Sequence, residues 1–225
     1  VPSVLQDSHL TILCLLHIGQ LNSTYPLNTS IPQLEHFSMG YICVDLDINI
    51  MGFSVEVVKG DLTEIVVEVI VNPSNSFGFM GGGVAYTIKK KGGVVIEEEA
   101  CSKAPIHVGS AVLTTGGLLK VSNVIHASTM ENPSEKIGVG NVKKAVSAAL
   151  SRANSHTFKT IAFPGMGTGV GGLSYDDASK AMIHSIFGFS NSNPNSSIEK
   201  IFLVAYSDEL YKVFNKWLNQ IQEIK

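Results

Sequence analysis

Two segments of this chain hold glycine at a density that only a special backbone geometry can use, and each follows a short strand-like run. The first, Asn72-Pro73-Ser74-Asn75-Ser76-Phe77-Gly78-Phe79-Met80-Gly81-Gly82-Gly83-Val84, comes after the β-branched run from Val66 to Val71. The second, Pro164-Gly165-Met166-Gly167-Thr168-Gly169-Val170-Gly171-Gly172, comes after Thr160 to Phe163. A helix is expected after each, from Gly83 to Lys91 and from the capping-box-like pair Ser174 and Asp177 through Phe187. A strand that turns through glycines into a helix presents unpaired N–H groups and the positive end of the helix dipole. Consecutive glycines let a ligand approach the backbone closely. Such loops form anion-cradling nests without any cation.

The rest of the pattern fits the same architecture. Tyr41 to Ile48 alternates and reads as a strand, with Asp45 and Asp47 on the face opposite Val44, Leu46 and Ile48. Further strands are expected at Ser54 to Val58, Ala111 to Thr114, Val121 to Ala127 and Ile198 to Ala205, the run at Val66 to Val71 suiting a sheet buried on both faces. Val142, Ala145, Val146, Ala149 and Leu150 have the spacing of an amphipathic helix over 139–154. Helices are also expected from Val94 to Ala104 and from Ser207 to Ile224, with a polar loop at Asn191 to Ser197. Strands alternating with helices predict a three-layer α/β/α sandwich around a central mixed, largely parallel sheet. In such a sheet, ligands sit beyond the carboxyl ends of the strands, where both glycine loops fall.

The regular pattern does not cover the whole chain. Residues 1–38 mix an apolar run with Asn, Ser, Thr and Pro, contain no Lys or Arg, and show no lasting periodicity. They are read as an extension, with Met39 as a natural start and one domain over 39–225. Leu10 to Ile18 is shorter than the ~20 residues needed to cross a bilayer, and no basic leader precedes it. No membrane span is expected. Cys14, Cys43 and Cys101 are scattered, without metal-type spacing, and suit small buried hydrophobes in a reducing, cytoplasmic setting. The sequons at Asn22, Asn28 and Asn195 are then chance matches.

The formal charge of −3 gives no electrostatic footprint for DNA or RNA. Neither glycine loop fits the Walker pattern or the dinucleotide fingerprint. His126 ends an apolar strand and reads as a core histidine. Lys89-Lys90-Lys91 complements the dipole at a helix end, and Asp176 and Asp177 suit a first helical turn. No histidine spacing suggests a metal, and no resident cofactor is expected.

The order of the motifs is more specific than any one of them. Gly60-Asp61-Leu62-Thr63, then Val71-Asn72-Pro73-Ser74-Asn75, then Gly81-Gly82-Gly83-Val84-Ala85-Tyr86-Thr87-Ile88 resemble the opening of a macrodomain. Ala162-Phe163-Pro164 and Gly167-Thr168-Gly169 are similar to that family's second phosphate loop. The resemblance runs in order over residues 40–225, and Ala85-Tyr86 looks most like archaeal and bacterial single-domain members.

The resemblance implies binding of ADP-ribose or ADP-ribosylated protein. Asp61 would accept a hydrogen bond from the adenine amino group, and Tyr206 would pack on the base. Asn75 would bond a distal-ribose hydroxyl and is the candidate catalytic residue. The amides of Gly81, Gly82, Gly83 and Val84 would face one phosphate and the distal ribose, and those of Gly167, Thr168, Gly169, Val170 and Gly171 the other phosphate. Leu62 and Asn72 complete the expected ligand-binding set. Ala85 stands where many hydrolytic members carry Asp, Gly171 where many carry an aromatic, and Pro73-Ser74 in place of a small pair. Slow hydrolysis of an ADP-ribosyl ester and a non-catalytic reader both remain open, with an RNA-binding module disfavoured by charge.

Overall fold

The computed structural model describes residues 44–50 and 52–222, with side chains over 52–221. The extension at 1–38, Cys14, Cys43 and the first residues of the strand expected from Tyr41 lie outside the described residues, as do the side chains of Asp45 and Asp47. Among the described residues, seven strands form one sheet: β1 (Val44–Ile50), β2 (Phe53–Lys59), β3 (Val69–Asn75), β4 (Ala111–Thr115), β5 (Asn123–Met130), β6 (Thr160–Pro164) and β7 (Lys200–Ala205). Their order is β1-β2-β7-β6-β3-β5-β4. The four inner pairings are parallel, and the two edge strands pair antiparallel. The helices are α1 (Gly83–Gly92), α2 (Val95–Ser102), α3 (Val139–Ser155), α4 (Tyr175–Ser192) and α5 (Asp208–Gln222), with a 3₁₀ turn at Leu62–Glu64.

Strand alternation sorts the core into two layers. Val55, Val57, Val69, Val71, Ile125, Ile161, Phe163, Ile201 and Leu203 pack with the apolar stripes of α3, α4 and α5. Val58, Ile70, Val124, Ala162 and Val204 point the other way and pack with Met80, Ala85, Ile88 and Ile96 of the α1–α2 side. This is the three-layer sandwich that the sequence predicts.

Two elements depart most from the sequence reading. β3 begins at Val69 and runs to Asn75, three to four residues later than expected. Val66 is 81% exposed, so the β-branched run starts before the sheet does. Pro73 and the polar residues around it continue the strand by pairing with β5 as far as Asn75↔Met130. α4 runs to Ser192, into the segment read as loop, because Ile186 and Phe189 keep its buried stripe going.

The topology fixes where a ligand can sit. β3 and β6 are neighbours, yet they pair only at Val69↔Ile161 and Ile70↔Ala162 before parting. β3 leads into α1 on one face, and β6 leads into α4 on the other. Chain connections that leave neighbouring strands to opposite faces open a crevice at their carboxyl ends.

Candidate functional site

The crevice is a cleft of about 1010 Å³, lined by both glycine loops, the turn after β2, the segment after β5 and the residue after β7. Among the described residues its lining contains no Lys or Arg, and Asp61 is the one carboxylate. A second groove of about 840 Å³ lies against α3 and the start of β4, away from the glycine loops.

The first loop changes character at a single residue. From Ser76 to Met80 each amide is bonded inside the protein: Ser76 to the Glu131 carbonyl, Phe77 and Phe79 to Asn75 Oδ1, Gly78 to the Asn75 carbonyl, and Met80 to Glu97. The amides of Gly81, Gly82, Gly83 and Val84 have no partner among the described residues, and no side chain caps α1 at Gly82. Gly83 has φ +56°, in the region that favours glycine. Four free donors thus meet the positive end of a helix dipole at the cleft wall.

The second loop is built differently but ends the same way. Thr168 Oγ1 donates to the Gly165 carbonyl, the Gly172 amide to the Gly169 carbonyl and the Leu173 amide to the Gly167 carbonyl. The amides from Gly167 to Gly171 have no partner among the described residues. Gly171 is packed where a Cβ would lie 2.8 Å from the Gly167 carbonyl oxygen and 2.9 Å from Ile137 Cγ1. That packing accounts for the absence of an aromatic side chain at this position.

At the other end of α1, Asp61 caps the 3₁₀ turn. Its Oδ1 accepts from the Thr63 amide at 2.9 Å and from Thr63 Oγ1 at 2.6 Å. Oδ2 meets Lys91 Nζ at 2.9 Å, and Lys91 also reaches Glu64. Partial burial acts to raise the Asp61 pKa, but the hydrogen bonds from Thr63 and Lys91 prevail and hold it below the ordinary value. The carboxylate therefore both caps the turn and faces the cleft. Tyr206, 64% exposed, lines the same cleft, and its hydroxyl lies 2.5 Å from that of Tyr175 with the rings edge to face.

Most residues singled out from the sequence meet here: Asp61, Leu62, Asn75, Gly81 to Val84, Gly167 to Gly171 and Tyr206 all line the cleft. Asn72 does not. It is fully buried, and its Nδ2 contacts His126 Nδ1 at 3.1 Å, while His126 Nε2 lies 2.9 Å from Thr114 Oγ1. Strand alternation turns Asn72 into the α1–α2 layer, where it belongs to a core polar chain and not to the cleft wall. Asn75 lines the cleft with a side chain already engaged, since Oδ1 accepts two loop amides and Nδ2 donates to the Phe79 carbonyl. One amide hydrogen is left for a ligand. Its first task is to shape the loop.

Sequence reasoning missed Phe79, Thr129, Met130, Pro133, Ser134 and Ser74, which also line the cleft. Ser74 is 2% exposed and its hydroxyl has no partner among the described residues. The Pro73-Ser74 departure was its only sequence signal.

Among the described residues, His126 is the titratable group most displaced from ordinary behaviour. Burial, then the charge of Lys103, lower its pKa to about 3. Thr114 Oγ1 donates to backbone carbonyls, so the neutral ring is assigned its proton on Nε2, leaving Nδ1 to accept from Asn72. The unfolded chain binds this proton below about pH 6.5 while the native state refuses it down to about 3, so stability falls as pH drops through that window. The slope approaches about 1.4 kcal/mol per pH unit from this residue alone. Melting temperature followed from pH 7 to pH 4.5 should show it, and His126→Gln should flatten it; an unchanged slope in the variant would assign the acid sensitivity to other groups.

Comparison with known proteins adds an independent line. A family model described as Macro domain matches residues 71–182. An uncharacterized protein of Aquifex aeolicus is 50% identical over 164 residues, covering 73% of this chain and 97% of that protein. One from Aeropyrum pernix is 44% identical, covering 72% of this chain and 83% of its own length. The Oceanobacillus iheyensis macrodomain with ADP superposes with a TM-score of 0.73 at 22% identity, over 83% of this chain and 100% of that one. The Trypanosoma brucei macrodomain in complex with ADP-ribose gives 0.66 at 22% identity, over 73% and 68%. At such identities the two structures speak for the fold.

Proposed function

The chain belongs to the macrodomain family, and we propose that it binds ADP-ribose, free or attached to protein, in the cleft between β3 and β6. The observation that carries this reading is the pairing of two sets of amides, at Gly81–Val84 and Gly167–Gly171, that are free among the described residues, in a cleft that these residues line without a cationic side chain. Such a wall suits a diphosphate held by backbone donors. Two solved macrodomains of the same fold hold ADP and ADP-ribose, which supports this choice of ligand. From Gly83 to Lys91, α1 advances about 12 Å, so the first loop and the Asp61 end are set apart by the reach of a ligand longer than a mononucleotide.

The reading favours a binder over an efficient hydrolase. Asp61, the cleft's one carboxylate, sits at the Lys91 end of α1, and the position of Ala85 offers no acid. Isothermal calorimetry with ADP-ribose and AMP tests the proposal. ADP-ribose should bind far more tightly, because AMP leaves one set of amides unmatched; equal affinities would sink it. Incubation with glutamate-linked ADP-ribosylated protein, following binding and release together, separates reader from hydrolase.

Asp61→Ala should weaken ADP-ribose binding by about 1.5–3 kcal/mol, the range for a hydrogen bond to a charged group, and abolish discrimination against inosine diphosphate ribose. It should also lower the melting temperature, because the 3₁₀ turn loses its cap. A variant that melts early yet keeps the wild-type preference for adenine would leave Asp61 a cap and nothing more.

A further inference from the structure

The tied part of the first glycine loop ends at Met80, and the group that ties it comes from another helix. Glu97, on α2, accepts the Met80 amide on Oε1 at 2.6 Å and Lys89 Nζ on Oε2 at 2.9 Å. Met80 is fully buried, and the side chains of Glu97 and Lys89 are only 20% and 25% exposed. The next residue is Gly81, whose amide is the first free one. On the other side, Asn75 holds Phe77 and Phe79. A run of glycines has no side chains of its own to fix its direction, so the direction is inherited from the last residue that is fixed.

We propose that Glu97, locked by Lys89, is a positioning residue for the ligand: it anchors Met80 and so aims the Gly81–Val84 amides at a phosphate. The assignment rests on the ADP-ribose reading of the cleft. It also gives Lys89 a second task. A half-enclosed carboxylate directly behind an anion-binding loop repels the anion, and Lys89 neutralises it. Lys89 belongs to the Lys89-Lys90-Lys91 run, whose third member holds Asp61 at the opposite end of the cleft. One helix thus braces both ends through its last turn.

The test is a set of three variants titrated with ADP-ribose and with AMP, beside amide hydrogen exchange on the ligand-free protein. Glu97→Ala should weaken ADP-ribose by about 10-fold or more while leaving AMP within about 2-fold, because AMP does not need the first loop. Lys89→Met should weaken ADP-ribose in the same selective way, with more effect at low salt. Lys89→Met combined with Glu97→Gln should recover most of the loss, since glutamine still accepts the Met80 amide and no bare charge remains. A Glu97→Ala protein with the wild-type ratio of the two affinities, or a double variant no better than Lys89→Met alone, overturns the proposal. If the wild type binds no ADP-ribose, the functional reading fails; the anchoring of Met80 is then judged by exchange, where an unprotected Met80 amide in the wild type overturns it.

Discussion

Gly82→Val and Gly169→Val should each abolish ADP-ribose binding while leaving the fold and its melting temperature intact. A Cβ built on either residue meets no atom within 4 Å, and Gly82 has φ −158° and ψ 168°, an extended geometry open to any residue. The space beside these glycines is therefore free in the protein itself and needed only by a ligand. A valine there would hold the phosphate away from two or three donors, each worth about 1.5–3 kcal/mol to a charged group. The loss should reach about 100-fold or more in affinity. Gly171→Ala provides the contrast. Its Cβ would collide with the Gly167 carbonyl, so that variant should lose melting temperature as well as affinity. Calorimetry paired with thermal unfolding separates the two cases, and wild-type affinity in Gly82→Val would remove the first loop from the site.

Asn75→Ala carries the second large effect. Removing the side chain unties three backbone groups, the Phe77 amide and both polar groups of Phe79, from the loop that precedes Gly81. The cost to stability should be about 1–3 kcal/mol, since Asn75 itself is only 8% exposed. Affinity for ADP-ribose should fall with it, because the free amides lose one of their two anchors. Any release of ADP-ribose from esters should start about 10²–10⁴-fold below that of relatives with a carboxylate at the position of Ala85, the usual contribution of a general acid or base. In Asn75→Ala it should fall further than affinity does. Turnover that survives Asn75→Ala at the wild-type rate would place the chemistry elsewhere in the cleft. Ala85→Asp is a poor rescue: Ala85 is 8% exposed and belongs to the core cluster with Met80 and Ile88, so a carboxylate there is desolvated before it can act.

Much of the fold, and of which residues line the cleft, is legible in the sequence. Short strand-like runs mark six strands within a few residues, and the periodicity of Val142, Ala145, Val146, Ala149 and Leu150 marks α3 with its buried face. Ser174 caps α4 by accepting the Asp177 amide, as the spacing suggested. The sequence misplaces the third strand because Val66 and Val67 have the composition of a strand but precede the sheet, whereas Pro73 to Asn75 lack that composition and lie in it. The paired neighbour β5 decided that boundary.

What the sequence determined by itself was local: which segments extend, which coil, and where glycines leave amides unpaired at a strand-to-helix turn. Those properties depend on residues within a few positions of one another. The tertiary structure alone decided what each polar side chain does with its hydrogen-bonding groups. Asn72 and Asn75 are three residues apart in one motif, yet one joins His126, 54 positions away, in the core and the other folds back on its own loop. Glu97 and Tyr175 carry no motif and enter the site only because α2 reaches the Met80 amide and α4 begins beside Tyr206. A side chain's donors and acceptors are few, and their first claimants come from chain segments that only folding brings within 3 Å.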